Sequence, residues 1–325
     1  MSGKELVRQA IKFGNPERIP LSNPYDLHSS DIVNIEVVRN YMGPDKRHSE
    51  WGFEWSHLEN DLTMGQPKAP IISSREDLKR YRAPDPDDPS RFEPLRAARA
   101  LYGEDKYYKA NLVLSGFAIM TFMRGFGEIM EDLYLDRDFV EELADMVFGF
   151  EERLIPRIAE QGFSAVHLAD DWGSQDSLLI APELWREVFK PRYRRQVELA
   201  HENGLDLYFH CCGYIYDIIP DFIEIGVDML NLGQPNINGI ERLGRDFSGK
   251  ICFACPVSYQ TTGISGTRDE IRQEVRELVE CLGNKGGGLI GLIPVDIMGL
   301  GGKRENIDCM LEAFAEFGAA RLASL

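Results

Sequence analysis

Short apolar runs alternate with long amphipathic stretches along most of the chain. Each short run has the length and the β-branched or aromatic content of a strand. The predicted strands are residues 19–22, 109–115, 165–168, 205–210, 228–232, 250–254 and 289–293. The clearest predicted helices are residues 138–161, 181–203 and 268–282. Repeated strand–helix units indicate a parallel sheet covered by helices.

The spacing of these units from residue 160 onward favours an α/β fold of the (β/α)8 TIM-barrel type over an open sheet. Seven strands are identified where a closed barrel needs eight, so closure is an inference. We interpret residues 1–325 as a single domain. Residues 1–105 form an N-terminal elaboration that includes the first strand, and residues 106–325 form regular βα units. Residues 50–73 predict a hairpin or meander.

The segment LYFHCCGY, residues 207–214, ends a predicted strand with one histidine and two cysteines. Side chains alternate across a strand, and helices cover the outside of a barrel. The apolar set Leu205, Leu207, Phe209 and Cys211 should therefore face outward, and the set Asp206, Tyr208, His210 and Cys212 should face the lumen. His210 and Cys212 would then lie about 6.5 Å apart at Cα, at the carboxyl end where barrel active sites are built. They form half of a zinc site, or they are core residues.

The same alternation places His167 and Asp171 on the lumen side of the preceding strand. Asp170 and Asp171 are paired carboxylates that suit acid–base catalysis or ligand orientation, and their alternative role is to cap a turn. The candidate substrate- or cofactor-binding residues at neighbouring strand ends are Trp172, Asn231 and Gln234.

Cys255 lies at the end of the next predicted strand and is a candidate third metal ligand. If Ile251 and Phe253 face outward, strict alternation turns Cys255 outward as well. A bend before Pro256 would be needed to bring its thiol into the lumen. The remaining cysteines are predicted to pack in the core: Cys211, Cys252, Cys281 and Cys309.

The composition of the chain argues against nucleic acid and membranes as binding partners. The chain has 53 acidic and 36 basic residues and a net charge of −17, which repels nucleic acid and anionic membranes. No run of about 18 apolar residues occurs, so no membrane span is expected. The six cysteines, without a secretion signal, predict reduced thiols and a cytoplasmic protein. Nothing in the pattern specifies an oligomeric state.

The segment FHCCGYIYDIIPDFIEIGVDMLNLGQP, residues 209–235, resembles the uroporphyrinogen decarboxylase superfamily, in which a strand ends in a Phe-His-x-Cys-Gly type motif. GNPERIP, residues 14–20, resembles the N-terminal signature of that family, and residues 170–204 resemble the segment before the motif. The resemblance implies a (β/α)8 barrel and one of two chemistries.

Decarboxylases of this superfamily hold the carboxylates of a tetrapyrrole with an arginine-rich segment after the first strand. The corresponding residues 21–30 contain no arginine, and none occurs between Arg18 and Arg39. A polyanionic substrate needs such cations, so their absence and the net charge of −17 argue against a porphyrinogen.

The other branch contains cobalamin-dependent methyltransferases, which bind zinc through His-x-Cys and a later cysteine. The resemblance implies that His210 and Cys212 fill the first two positions. The later cysteine, expected in the glycine-rich segment 286–302, is missing. The third ligand is therefore Cys255 or Asp296, or it is absent.

The leading hypothesis is methyl transfer between a corrinoid, free or on a partner protein, and a small thiol or other acceptor. Zinc would be held by His210, Cys212 and Cys255, and the candidate catalytic residues are Asp171, Asp170 and His167. One alternative is a decarboxylase of a tetrapyrrole or a smaller acid. Another is a non-catalytic accessory protein that binds a corrinoid or a metal.

Overall fold

Eight parallel strands wrap into a barrel in the computed structural model, which describes residues 1–43, 45–56, 65–295 and 297–320. The strands in chain order are β1 Leu21–Ser22, β2 Ile32–Glu36, β3 Trp55–Ser56, β4 Gln66–Pro67, β5 Tyr107–Asn111, β6 Ala165–Ala169, β7 Asp206–Cys211, β8 Met229–Leu232, β9 Cys252–Pro256 and β10 Leu289–Leu292. The barrel order is β1-β10-β9-β8-β7-β6-β5-β2, and β3 and β4 form a separate antiparallel pair. At the seam, the Asp31 N–H next to β2 donates to the Leu21 carbonyl of β1 over 2.8 Å.

Helices cover the outside of the barrel. They are α1 Gly3–Ile11, α2 Arg75–Arg80, α3 Glu93–Tyr102, α4 Gly116–Arg124, α5 Phe126–Leu135, α6 Arg137–Glu160, α7 Pro182–Val188, α8 Lys190–Glu202, α9 Ile219–Ile225, α10 Pro235–Asn238, α11 Ile240–Phe247, α12 Thr262–Ser265, α13 Arg268–Leu282 and α14 Arg304–Ala320. The helix predicted over residues 181–203 is two helices, because Pro191 in the first turn of α8 lacks an N–H and favours a new helix start there.

The barrel fold is confirmed, and the strand missing from the sequence prediction is β2. Its sequence IVNIE places Asn34 and Glu36 on the lumen face, where both are exposed to solvent. Because two of the five residues of β2 are polar, the strand does not appear as an apolar run in the sequence. The N-terminal region therefore supplies two barrel strands, where the sequence predicted one.

Two apolar layers hold the barrel together. A large outer core lies between the strands and the helices. A smaller inner core fills the amino-terminal end of the lumen; its members are Val7, Ala10, Ile11, Ile32, Tyr107, Ala165, Tyr208, Met229, Cys252, Ala254 and Ile290. α1 closes this end, and each large aliphatic side chain that it buries contributes about 1.5–3 kcal/mol. Polar side chains line the carboxyl-terminal end of the lumen.

None of the helices in the described part of the chain combines the length and the apolar content that crossing a bilayer requires.

Candidate functional site

Strand β7 carries two side chains to the carboxyl-terminal rim of the barrel. Tyr208 belongs to the inner core, and Phe209 and Cys211 belong to the outer core, as alternation along the strand predicts. His210 and Cys212 consequently share the lumen side. The Cys212 Sγ lies 3.3 Å from the His210 Nε2.

Asp171, from the loop after β6, completes a cluster of three donors. Its Oδ1 lies 3.6 Å from the His210 Nε2. The candidate ligand atoms of Asp171, His210 and Cys212 all lie within 4.8 Å of one another. The same Oδ1 accepts a hydrogen bond from the Cys212 N–H over 2.8 Å, which holds the two loops together.

The glycine after Cys212 explains how the two loops come so close. Gly213 has a φ of +82°, and a Cβ there would overlap the backbone of Gly173 in the loop after β6. Only glycine combines that φ with such a close backbone approach at low cost. The neighbouring Tyr214 N–H donates to the Ser174 carbonyl over 2.8 Å, so the loops that carry Asp171 and Cys212 pack backbone against backbone.

A second glycine leaves space beside the donors. A Cβ on Gly233 would lie 2.8 Å from the Cys212 Sγ and 3.4 Å from the His210 Cε1. The Tyr259 Oη lies on the same side, 3.6 Å from the Cys212 Sγ. The loop after β8 thus forms one wall of the donor cluster without a side chain of its own.

Asn231 orients the His210 ring. Its Oδ1 lies 2.6 Å from the His210 Nδ1, and its Nδ2 donates to the Ala254 carbonyl over 2.6 Å. Because the carboxamide oxygen can only accept, the His210 Nδ1 carries the proton. Nε2 then faces Cys212 and Asp171, which is the arrangement of a metal-binding histidine with its supporting hydrogen bond.

The electrostatics of the cluster favour a cation. Burial lowers the pKa of His210, but the Cys212 sulfur, the Asp171 carboxylate and Asn231 outweigh it and raise that pKa to about 9. The donors are one imidazole nitrogen, one sulfur and one carboxylate oxygen, all of which bind Zn²⁺ in proteins. Three protein donors leave a fourth tetrahedral position for a substrate. The residues present therefore fit a catalytic zinc ion.

Cys255 does not join this cluster. It is completely buried, and it packs in the outer core with Phe253. Burial raises the pKa of its thiol to about 12. The expectation of Cys255 as the third ligand disagrees with this position, because β9 keeps strict alternation as far as Pro256. Asp171 is the third donor of the cluster instead. The other candidate, Asp296, lies outside the described residues.

Asp170 and Trp172 also face away from the lumen, contrary to their predicted site roles. Asp170 is 1% exposed and accepts hydrogen bonds from the Phe117 and Ala118 N–H groups, at 3.2 and 2.7 Å, where α4 begins. Its third donor is the Tyr193 hydroxyl at 2.7 Å. Trp172 is fully buried in the outer core, and its indole N–H donates to the Tyr193 hydroxyl over 3.0 Å. Both residues hold helices against the barrel.

His167 and Gln234 lie near the cluster without joining it. The His167 ring faces the lumen, 6.4 Å from the His210 ring between centroids. The Gln234 Oε1 accepts from the Gly213 N–H over 3.1 Å, and its Nε2 donates to Gln175 over 3.3 Å. Gln234 thus supports the loops that form the rim.

Sequence reasoning missed a buried lysine in the lumen. Lys109 is 3% exposed, and its Nζ lies 3.1 Å from the centre of the Tyr208 ring. It is the first residue of the strand predicted over residues 109–115. Extending the alternation test to that strand would have identified a lysine inside a barrel.

A family model described as uroporphyrinogen decarboxylase matches residues 60–316. Among solved structures, a methyltransferase from Methanosarcina mazei is similar, with a TM-score of 0.67 and 16% identity over 98% of this chain and 99% of that chain. A D-psicose 3-epimerase in the presence of D-fructose has a TM-score of 0.44 and 12% identity over 91% of this chain and 88% of that chain. The IOLI protein with a binding zinc atom also has a TM-score of 0.44 and 12% identity, over 95% of this chain and 97% of that chain. A comparison with curated proteins found no match.

Proposed function

The chain belongs to the uroporphyrinogen decarboxylase family, and we propose that it is a zinc-dependent methyltransferase that moves a methyl group between a corrinoid and a small thiol or other acceptor. One observation carries the proposal: Asp171, His210 and Cys212 converge at the rim of the barrel, with the His210 Nε2 directed at the other two. The fold of the Methanosarcina mazei methyltransferase supports it as well.

Zinc held by these three residues would bind the acceptor thiol at its open position and lower the pKa of that thiol. The protein's own contribution is positional. Asn231 accepts from the His210 Nδ1–H and so leaves Nε2 as the nitrogen that would bind zinc in exchange for its proton, and the Cys212 N–H holds the Asp171 carboxylate against the cluster. In the overall exchange the thiol loses its proton and gains the methyl group. The corrinoid gives up that methyl group and keeps the electron pair of the broken bond.

The corrinoid needs access to the rim. The Asp171 side chain is 60% exposed, so a bulky donor can approach the cluster from solvent. The proposal therefore includes a corrinoid protein as a partner that presents the methyl group at the mouth of the barrel.

A porphyrinogen decarboxylase is less favoured because Arg18, before β1, and Arg39, after β2, already have partners. Arg18 makes a two-pronged ion pair with Asp31, with N–O distances of 2.6 and 2.7 Å. Arg39 pairs with Asp88 over 2.7 Å. Neither guanidinium is available to hold the carboxylates of a tetrapyrrole.

The test has two parts. Protein purified without chelators should contain about one zinc ion per chain, as a single catalytic site requires. Cys212→Ala and Asp171→Ala should lose most of it. The zinc-loaded protein should demethylate methylcobalamin, alone or on a corrinoid protein, when small thiols are supplied. A protein that binds no zinc, or whose activity survives both chelation and Cys212→Ala, would contradict the proposal.

A further inference from the structure

A tyrosine from the loop after β9 reaches the sulfur of the donor cluster. Tyr259 is half-buried, and its Oη lies 3.6 Å from the Cys212 Sγ. The space for this contact comes from Gly233, because a Cβ there would lie 2.8 Å from the Cys212 Sγ and 3.5 Å from the Tyr259 Oη. The hydroxyl and the sulfur therefore meet beside a residue that has no side chain.

Both sequence neighbours of Tyr259 hold it in this position. The Ser258 N–H donates to the Glu274 Oε1 of α13 over 2.6 Å. On the other side, the Gln260 Oε1 accepts a hydrogen bond from the Gln234 Nε2. Tyr259 is thus anchored to an outer helix and to the loop after β8, so its contact with the sulfur belongs to the framework of the rim.

The chemistry of the two atoms fixes the direction of this hydrogen bond when Cys212 is a metal ligand. A cysteine binds a metal as a thiolate, which has no proton to donate. The Tyr259 hydroxyl is therefore the donor and the Cys212 sulfur is the acceptor. Hydrogen bonds of this kind, to a charged acceptor, are stronger than those between neutral groups, and they tune the ligand that accepts them.

The proposed reaction has a competitor within the site. The Cys212 sulfur and the acceptor sulfur are both thiolates at one ion, and each is a nucleophile toward the methyl group. Attack by Cys212 would form S-methylcysteine, leave the electron pair of the broken bond on the corrinoid, and spoil a metal ligand. The site therefore needs a means of making the Cys212 sulfur the weaker nucleophile.

We propose that the Tyr259 hydroxyl protects Cys212 from methylation by donating a hydrogen bond to its sulfur, and so directs the methyl group to the acceptor. The hydrogen bond stabilises the lone pairs that would have to form the new bond. Tyr259 is a specificity-determining residue that acts through Cys212, and this role rests on the proposed function.

Cobalt-substituted protein tests the hydrogen bond without turnover. The sulfur-to-cobalt absorption band reports on the lone pairs of Cys212. Loss of the hydrogen bond in Tyr259→Phe should move this band to longer wavelength, because the lone pairs are no longer stabilised. Tyr214→Phe is the matched control: it removes a hydroxyl from the loop after β7 that lies 3.5 Å from the Arg242 Nη1, and its band should stay at the wild-type position.

The reactivity of the sulfur is measured separately on zinc-loaded protein. Iodoacetamide alkylates a thiolate with loss of iodide, and mass spectrometry locates the modified cysteine. Cys212 should react about tenfold faster in Tyr259→Phe than in wild type or Tyr214→Phe, as the loss of one hydrogen bond to a charged group predicts. Faster alkylation with an unshifted cobalt band would show that the hydroxyl only shields the sulfur, and it would overturn the inference.

These outcomes distinguish the role of Tyr259 from the proposed function. During turnover with methylcobalamin and a thiol, Tyr259→Phe should accumulate S-methylcysteine at position 212, and wild type should not. An unshifted band and an unchanged alkylation rate in a variant that binds both metals would refute the role of Tyr259 alone. A wild-type protein that takes up neither cobalt nor zinc would refute the proposed function and this inference together.

Discussion

The Oδ1 of Asn231 lies 2.6 Å from the Nδ1 of His210, and the Nδ2 of the same carboxamide is tied to the Ala254 carbonyl. Three neighbouring strands, β7, β8 and β9, are thereby linked through one side chain. The link fixes the plane of the imidazole and leaves Nε2 as the nitrogen that faces the cluster. This supports the view that the rim is built to hold a cation.

Replacing Asn231 with alanine should weaken zinc binding without removing a ligand. The His210 ring would lose the acceptor that orients it, and such supporting residues typically contribute 10- to 100-fold to metal affinity. Competition with a chromophoric chelator measures the change. Asn306→Ala is the matched control, because Asn306 also donates to backbone carbonyls, those of Gly263 and Ile264, but lies away from the cluster. An unchanged zinc affinity in Asn231→Ala would show that the ring needs no support.

Gly233→Ala should disturb the cluster sterically. The added Cβ would lie 2.8 Å from the Cys212 Sγ, so the thiol must move, and overpacking of this kind costs about 1–3 kcal/mol. Zinc affinity should fall, while the circular dichroism spectrum stays that of the wild type. Gly127→Ala, where no atom lies within 4 Å of the new Cβ, should change neither property. Full zinc affinity in Gly233→Ala would show that the position of the Cys212 Sγ in the structure is not the one that binds zinc.

Two cysteine variants should behave in opposite ways. Cys255→Ala should keep its zinc and lose about 1 kcal/mol of stability, because it removes a buried sulfur from the outer core. Cys212→Ala should lose its zinc and unfold, without metal, at nearly the same denaturant concentration as the metal-free wild type. Metal analysis and chemical denaturation of both variants decide the point. Loss of zinc in Cys255→Ala would show that Cys255 is a zinc ligand after all.

The alternation of side chains along the strands was enough to predict which residues of β7 and β9 face the lumen. It placed Tyr208, His210 and Cys212 on the lumen face of β7. It also predicted that Cys255 faces outward from β9. Continued past β6, the same rule sends Asp170 outward and Asp171 inward, as the structure shows. The prediction of Trp172 as a binding residue ignored this rule.

Other features depend on contacts between distant segments, which no local pattern contains. Asp171 becomes a partner of His210 because the Gly173 and Gly213 backbones touch across 40 residues of sequence. β2 is a strand because its neighbours supply hydrogen bonds to it, although Asn34 and Glu36 break its apolar pattern. The contact of Lys109 with the Tyr208 ring is likewise visible only when the strands around it are known.

A buried carboxyl group on α6 gives the fold a measurable dependence on pH. The Glu151 Oε1 accepts from the Gly116 N–H over 2.7 Å, and its Oε2 contacts the Gln196 Nε2. Burial raises the pKa of Glu151 from 4.5 to about 8, and these two hydrogen bonds only partly oppose the rise. Below pH 8 the folded protein therefore holds a proton that the unfolded chain releases above pH 4.5.

The sign of the effect follows from that difference in bound protons. Between pH 4.5 and about 8 the folded state binds more protons, so Glu151 makes the free energy of unfolding fall by up to about 1.4 kcal/mol per pH unit as pH rises. Glu151→Gln should remove this slope, since a carboxamide stays neutral and can still accept from the Gly116 N–H. The variant should exceed wild type in unfolding free energy at pH 8.5 by more than at pH 5.5, as measured by denaturant titration. Glu198→Gln, at an exposed position of α8, should follow the wild-type curve. If Glu151→Gln and wild type lose stability in parallel from pH 5.5 to 8.5, Glu151 is ionised in the folded protein across that range, and its burial does not control its charge.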